Sequence, residues 1–172
     1  PSNCLEPLKF VPMVRFEDAW NYFLRQPMAT SPQLIRFEPE HMFAFESREH
    51  EPEDIIREGL RRIEPLPHES FSAAIGERIV GCGGMVVYRE GCGYPWVMLS
   101  DELARYPVWL HRTVSRLYKR CVESFDLKYL YSEATTCSER NNRWLQSFGF
   151  KPRAEVFTIN GRVYQQHDCE VG

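Results

Sequence analysis

Apolar residues recur at helical spacing in four segments of the chain. The longest segment, 107–125, has one apolar stripe, formed by Leu110, Val114, Leu117, Tyr118, Cys121 and Phe125. This spacing predicts an amphipathic helix with one buried face. The other predicted helices cover residues 17–26, 51–63 and 138–148. Ser138 and Gly149 suit the two ends of the last helix, as its N-cap and as the glycine that follows its final turn.

Alternating or continuous apolar runs predict strands between these helices. Two regions are predicted β-hairpins, because a two-residue turn of a favoured type separates their strands. These hairpins lie within 70–89, around Gly76-Glu77, and within 154–171, around Asn160-Gly161. Single strands are predicted at 8–16, 94–100 and 128–135, and 27–47 is predicted to be a loop with one short strand.

The order of these elements indicates the fold class. Helices separate strands along most of the chain, and a meander of three strands lies in the middle, which favours a mixed sheet covered on both faces. The sequence therefore predicts an α/β or α+β fold with a mixed, mostly antiparallel sheet, in a single domain over residues 1–172. Three glycines of the first hairpin indicate a bulge or a close approach of backbones: Gly81, Gly83 and Gly84.

Composition and charge narrow the classes of function. The chain is 43% hydrophobic and 13% aromatic, which is enough for the core of one domain. A net charge of −3 argues against a dedicated nucleic-acid binder, and no apolar run approaches the length that crosses a bilayer. We therefore expect neither nucleic acid nor a membrane as partner. The six cysteines form no CxxC pair, so free thiols in a reducing cytoplasm are favoured over a zinc site or a disulfide framework.

Two segments resemble motifs of the GCN5-related N-acetyltransferase (GNAT) superfamily. "AAIGERIVGCGGMVV" is similar to the second and third strands of that family around their tight turn. "SERNNRWLQSFGF" is similar to the helix that ends at Gly-Phe before a strand. The resemblance extends from about Phe10 to Glu170. It implies a single GNAT-like domain with acetyl-CoA or CoA as the ligand.

The chain departs from the family where the cofactor pyrophosphate is held. In the family, a glycine-rich loop after the central strand offers its N–H groups to the phosphates. The same interval here, 100–112, has no glycine, and Pro107 lacks an N–H donor. Asp101 and Glu102 are expected to repel phosphate, because two like charges about 6 Å apart at an effective dielectric of about 20 cost about 2–3 kcal/mol. The side chains expected to compensate, as cofactor ligands, are Arg105, His111 and Arg112.

A second departure lies in the Gly-Phe helix. The tyrosine with which the family protonates the leaving thiolate falls on Leu145, which has no proton to donate. The asparagine that opens the family's helix falls on Ser138, which we include among the cofactor-binding candidates.

The resemblance also assigns roles to residues on two predicted strands. Glu133, in the strand 128–135, is the candidate general base for the incoming amine, and the alternative is a solvent-facing strand residue. Val97, Met98 and Leu99 are expected to present their backbone to the pantetheine arm of the cofactor, with core packing as the alternative for their side chains. For His111 and Arg112 the alternative to an anion contact is a solvated helix face.

Aromatic residues and cysteines near the altered loop have two interpretations as well. Four aromatic residues are close in sequence and could form a protein-binding surface or pack in the core: Tyr94, Trp96, Tyr106 and Trp109. Cys82 and Cys92 lie beside glycines, and buried, inert thiols are favoured over a nucleophile there.

The two departures together narrow the resemblance, to the small divergent acetyltransferase-like proteins of T7-like bacteriophages. That family implies a protein that acts in the cytoplasm of the infected bacterium or is packaged in the virion. The GNAT-like fold, its altered motifs and the phage resemblance together leave three functions open. The first is a GNAT-fold protein with degenerate catalytic motifs that binds and modulates, or inhibits, a host bacterial protein during host takeover. The second is an acetyl-CoA-dependent N-acetyltransferase, and the third is a virion component.

Overall fold

The computed structural model describes residues 31–48, 53–63, 66, 68–159 and 161–171. All of them belong to one compact unit, Ser31–Gly172. The strand predicted at 8–16 and the helix predicted at 17–26 lie outside the described residues. The prediction of one domain over 1–172 therefore stays a prediction.

The described elements follow the predicted order from the short strand onward. The strands are β1 (Gln33–Arg36), β2 (His68–Ile75), β3 (Arg78–Arg89), β4 (Cys92–Leu99), β5 (Tyr129–Thr135), β6 (Lys151–Ile159) and β7 (Arg162–Glu170). The helices are α1 (Glu53–Ile63), α2 (Pro107–Ser124) and α3 (Glu139–Ser147). Two short 3-10 turns cover Pro39–Phe43 and Leu103–Arg105. None of the described helices combines the length and the apolar composition needed to cross a membrane.

The strands form one seven-stranded sheet in the order β1-β2-β3-β4-β5-β7-β6. Its neighbouring strands are antiparallel except for β4 and β5, which run parallel and are joined by the crossover helix α2. The predicted mixed, mostly antiparallel sheet is confirmed. Among the described residues, β4 and β5 share only the register pairs Cys92↔Tyr129 and Gly93↔Leu130. Past these pairs the two strands separate toward their carboxyl ends, and a gap opens in the middle of the sheet.

Helices cover both faces of the sheet, as predicted. On one face, Leu60 and Ile56 of α1 pack with the core residues Met42, Cys82 and Met98. On the other face, residues of α2 and α3 pack around a second set of buried side chains, Met85, Cys121, Leu127, Leu130 and Phe150. The two contacts have the same physical cause, because each helix buries an apolar stripe against the sheet. The side chains of Ile55 and Ile63, also predicted to face the core, lie outside the described set.

The predicted turns and close approaches are present. Gly76 turns the β2–β3 hairpin with φ +62°, and Gly149 ends α3 with φ +90°, a region that favours glycine. A Cβ on Gly83 would lie 2.8 Å from the Trp96 carbonyl oxygen, and one on Gly84 would lie 2.5 Å from that of Glu69. The β2–β3 register also shifts between Ala73 and Ala74, whose partners are Gly81 and Ile79, so both the bulge and the close approach predicted for this hairpin are found.

Candidate active site

The gap between β4 and β5 opens into a cleft of about 300 Å³. Residues 94–99 of β4 form one wall and residues 132–135 of β5 form the other. The α2 and α3 helices contribute apolar side chains to the same cleft, among them Leu110, Val114, Trp144, Leu145 and Phe148. A mostly apolar cleft with a few polar groups is the usual form of a small-molecule site.

The edge of β4 that faces the gap is defined by its backbone hydrogen bonds. The Ser100 N–H donates to the Val80 carbonyl of β3 at 3.0 Å, whereas the Leu99 carbonyl accepts from the Arg48 N–H at 2.8 Å. Because neighbouring residues of a strand direct their backbone groups to opposite edges, the N–H and C=O of Val97 point to the same side as those of Leu99. Val97 therefore directs a donor and an acceptor into the gap.

The three β4 candidates thus differ in what they offer a ligand. The Val97 side chain is 41% exposed, and its backbone groups face the gap. Met98 is buried against α1, so its side chain is core. The carbonyl of Leu99 is already bonded to Arg48. Their joint role in cofactor binding stays a prediction, and Val97 is the position best placed for it.

Glu133 lies on the opposite wall, paired across the sheet with Gln166 of β7. The Tyr94 hydroxyl of β4 donates a hydrogen bond to its Oε2 at 3.4 Å. Glu133 is an exposed residue of β5, as in the solvent-facing alternative, and its carboxyl group is only partly shielded from water. This partial burial raises the pKa of Glu133, and the hydrogen bond from Tyr94 and the charge of Arg62 act in the opposite direction. A carboxylate with a raised pKa that lines a cleft is typical of a general base. The assignment of Glu133 as the base stays a prediction that this geometry supports.

Tyr94 was not among the residues predicted to act at the site. Its alternation with Trp96 and Met98 places it on one face of β4, but periodicity gives no information on its partner across the gap. Tyr164 was missed for the same reason. It lines the cleft from β7, directly opposite Thr135, and stacks on Phe157 with ring centroids 5.8 Å apart.

The loop between β4 and α2 uses its N–H groups internally. Leu103 N–H donates to the Ser100 hydroxyl at 3.2 Å, and Ala104 N–H donates to the Ser100 carbonyl at 3.2 Å. Arg105 and Tyr106 N–H groups donate within the 3-10 turn to the carbonyls of Glu102 and Leu103. These four donors are therefore directed into the loop, and the turn has a different form from a phosphate-binding nest.

Asp101 and Glu102, expected to repel phosphate, are both neutralised by arginines. Arg48 donates to the Asp101 carboxylate at 2.7 Å. Arg78 donates to both oxygens of Glu102, at 2.7 and 2.9 Å. The expected repulsion assumed unpaired charges, so these ion pairs offset it.

The predicted cationic ligands lie at the start of α2. Arg105 precedes the helix and Arg112 lies on it, both with exposed side chains. His111 is also exposed, and its ring contacts Phe148 at the end of α3, with centroids 5.2 Å apart. The structure therefore joins His111 to α3, and phosphate binding by these three residues stays a prediction.

Ser138 is the N-cap of α3. Its hydroxyl accepts from the Asn141 N–H at 3.4 Å, which confirms the predicted cap. Its role toward a cofactor stays a prediction. Leu145 lines the cleft and packs against the second core cluster, where it supplies no proton donor.

The predicted aromatic cluster is mostly packed inside the fold. Trp96 contacts Phe37 edge-on with centroids 5.7 Å apart, and Tyr106 and Trp109 pack against the cluster that contains Val80 and Leu103. For these residues the core-packing alternative is the one found. Cys82 and Cys92 are buried, and all five described cysteines are free thiols, as predicted.

Comparison with known proteins identifies the fold. No protein-family model matches the sequence, and a search of curated proteins gave no match. Among solved structures, Ard1 from Thermoplasma volcanium has a TM-score of 0.64 at 11% identity, covering 83% of this chain and 99% of its own. An IAA acetyltransferase from Bacillus cereus has a TM-score of 0.60 at 14% identity, covering 82% and 100%.

A third structure, an acetyltransferase from Bacillus subtilis in complex with CoA, has a TM-score of 0.57 at 14% identity. It covers 81% of this chain and 97% of its own. All three similarities extend over nearly the whole of the compared protein. The described part of the chain therefore has the fold of the GCN5-related N-acetyltransferases.

Proposed function

We propose that this protein is an acetyl-CoA-dependent N-acetyltransferase in which Glu133 is the general base. The observation that carries the proposal is the carboxylate of Glu133 in the cleft, opposite the strand edge at which Val97 presents its backbone groups. The fold supports it, and the Bacillus subtilis protein of the same fold was solved with CoA. Fold alone does not fix function, so the argument depends on these site residues.

The residues present fit a CoA thioester at the gap. Val97 has one donor and one acceptor for the amide groups of an extended pantetheine arm, in the manner of an added strand. Apolar side chains of α2 and α3 exclude water from the cleft beside it. Acetyl-CoA, when bound, supplies an activated acyl group.

Glu133 would then remove the proton that the acceptor amine loses as it attacks the thioester carbonyl. The C–N bond forms, the C–S bond breaks, and the amine proton passes to the Glu133 carboxylate. Because the pKa of Glu133 is raised, its basicity lies closer to the working pH than that of an exposed glutamate. Leu145 offers no proton to the leaving thiolate, so we expect solvent to supply that proton.

A second candidate function is a binding module that has lost catalysis. The observation in its favour is the loop 100–106, in which the N–H groups of residues 103–106 donate within the loop and so are not directed at a pyrophosphate. In this alternative the protein, of the type found in T7-like bacteriophages, contacts a host bacterial protein in the infected cytoplasm or is a virion component. Nothing in the described surface favours a particular host partner.

Calorimetric titration with acetyl-CoA and with CoA, at low and moderate salt, separates the two functions. We expect micromolar binding that weakens with salt, because side-chain cations near α2 replace backbone donors. The Glu133→Gln variant should bind acetyl-CoA equally well but transfer acetyl to an amine panel about 10²–10⁴-fold more slowly, the usual contribution of a general base. If the titration gives no heat of binding up to about millimolar ligand, which corresponds to a binding free energy near −4 kcal/mol, the acetyltransferase function is excluded.

A further inference from the structure

Tyr94 connects the two halves of the divided sheet. It follows Gly93, the last β4 residue that pairs with β5, so it lies where the two strands begin to separate. Its hydroxyl crosses the gap to Glu133 Oε2 at 3.4 Å, between residues 39 positions apart in sequence. On the other side of β4, Tyr94 pairs with Val86 of β3, within the regular run of antiparallel pairs from Gly81↔Leu99 to Val87↔Gly93. The tyrosine is therefore anchored on a rigid strand.

The charged and polar groups around this contact come from two other elements, α1 and β7. Arg62 of α1 acts on both Tyr94 and Glu133, Tyr164 of β7 acts on Tyr94, and Gln166 of β7 pairs with Glu133 in the sheet. Burial, and then the charge of Glu133, raise the pKa of Tyr94 above its usual range. The phenol therefore keeps its proton at every pH at which an acetyltransferase works, and it remains a hydrogen-bond donor.

We propose that Tyr94 is the positioning residue of Glu133: its hydroxyl fixes one carboxylate oxygen across the gap and leaves the other for the proton of the acceptor. The inference rests on the proposed function, in which Glu133 is the base. A carboxylate that is partly removed from water needs a donor to stay ionised, and a fixed donor meets that need without reorganisation. The position also orients the carboxylate relative to β4, on which Val97 faces the same gap.

The test compares Tyr94→Phe with Tyr131→Phe. Each variant loses one phenolic hydroxyl and keeps its ring, and Tyr131 lies on the same face of β5 as Glu133, two residues away. For Tyr94→Phe we expect kcat/KM at pH 6 to fall roughly tenfold, as on loss of a hydrogen bond to a charged group. The fall should be smaller at pH 9, because the acidic limb of the profile moves to higher pH. Tyr131→Phe should leave the shape of the profile unchanged.

A second measurement needs no turnover. The Glu133 carboxyl carbon is labelled with ¹³C and titrated by NMR, with Glu133→Gln to assign the signal. We expect the midpoint of Glu133 to rise in Tyr94→Phe. If Tyr94→Phe does not fold, 3-fluorotyrosine at position 94, a stronger donor of the same shape, should lower the midpoint.

The outcomes for the proposed function and for this inference are distinct. A wild-type protein with no acetyl transfer contradicts the proposed function, while the NMR titration still reads the Tyr94–Glu133 contact. A Glu133 midpoint that is the same in wild type and in the Tyr94 variants overturns the inference. A loss of kcat/KM that is uniform across pH also overturns it, because a purely structural tyrosine would act in that way.

Discussion

The carboxyl group of Glu133 is subject to two opposing requirements. Partial burial of this exposed side chain raises its pKa, which suits a base, but the same partial burial opposes folding once the group is ionised. A raised pKa in the folded state means that the folded protein binds a proton at a pH at which the unfolded chain does not. The stability from this group is therefore fully present below the usual glutamate pKa of about 4.3 and is lost as the pH rises through the folded pKa.

Replacement of this carboxyl group should separate activity from stability. We expect Glu133→Gln to melt at a higher temperature than wild type at pH 7, because glutamine keeps the shape, can accept from Tyr94 and carries no charge. The difference should shrink toward pH 4, measured by circular dichroism. Glu77→Gln, in the exposed β2–β3 turn, is the matched control and should show no such dependence. A Glu133→Gln difference that is constant with pH would contradict the prediction.

Among the elements, α3 is the one whose stability depends most clearly on contacts at its two ends. It has nine residues, fewer than isolated helices need to form, and none of its residues is fully buried. Its start is fixed by Ser138, and the Asn142 side chain also donates to the carbonyls of Thr135 and Ser138 at 3.2 and 2.9 Å. Gly149 then turns the chain into β6 at φ +90°. These end contacts hold the helix that carries Leu145 and Phe148 into the cleft.

Removal of the cap should destabilise the protein more than removal of a hydroxyl inside a helix. We expect Ser138→Ala to lower the free energy of unfolding by about 0.5–2 kcal/mol, the usual worth of an N-cap, in urea denaturation. The control is Ser115→Ala on α2, where the hydroxyl bonds back to the His111 carbonyl at 2.7 Å. Alanine is the better helix former there, so the change should be neutral or stabilising. Equal losses in the two variants would refute the role of the cap.

For the whole molecule, the site follows from an interrupted sheet. Strands β1 to β4 form one antiparallel part of the sheet, and β5 to β7 form another. Two parallel register pairs between β4 and β5 join the two parts. On an exposed sheet, the unpaired edges of β4 and β5 would favour aggregation, because their free N–H and C=O groups can pair with strands of other molecules. Here helices on both faces flank them, and the result is a cleft inside the fold.

Ligand binding should close this interruption at Val97. We expect saturating acetyl-CoA to slow amide hydrogen exchange of Val97 roughly fivefold, since one added hydrogen bond is worth about 1 kcal/mol. Val86, inside the β3 ladder with partners on both sides, should exchange slowly with and without ligand. Unchanged exchange at Val97 in the presence of bound acetyl-CoA would place the cofactor elsewhere.

The sequence by itself determined the local elements, because their causes lie within a few residues. The stripe on α2, the cap at Ser138 and the turns at Gly76 and Gly161 are periodic or nearest-neighbour features, and all are found. The element order and the Gly-Phe helix were also enough to predict the acetyltransferase fold. The resemblance of the chain to the family identified Glu133 as a candidate base.

Only the tertiary structure decided how the site is assembled. Tyr94 meets Glu133 across 39 residues, Arg48 meets Asp101 across 53, and Arg78 meets Glu102 across 24. Such contacts depend on strand register and on where two strands separate, and no local pattern encodes either. Packing of distant elements therefore fixed the partner of the candidate base and neutralised the two acids that the sequence presents as a barrier to phosphate.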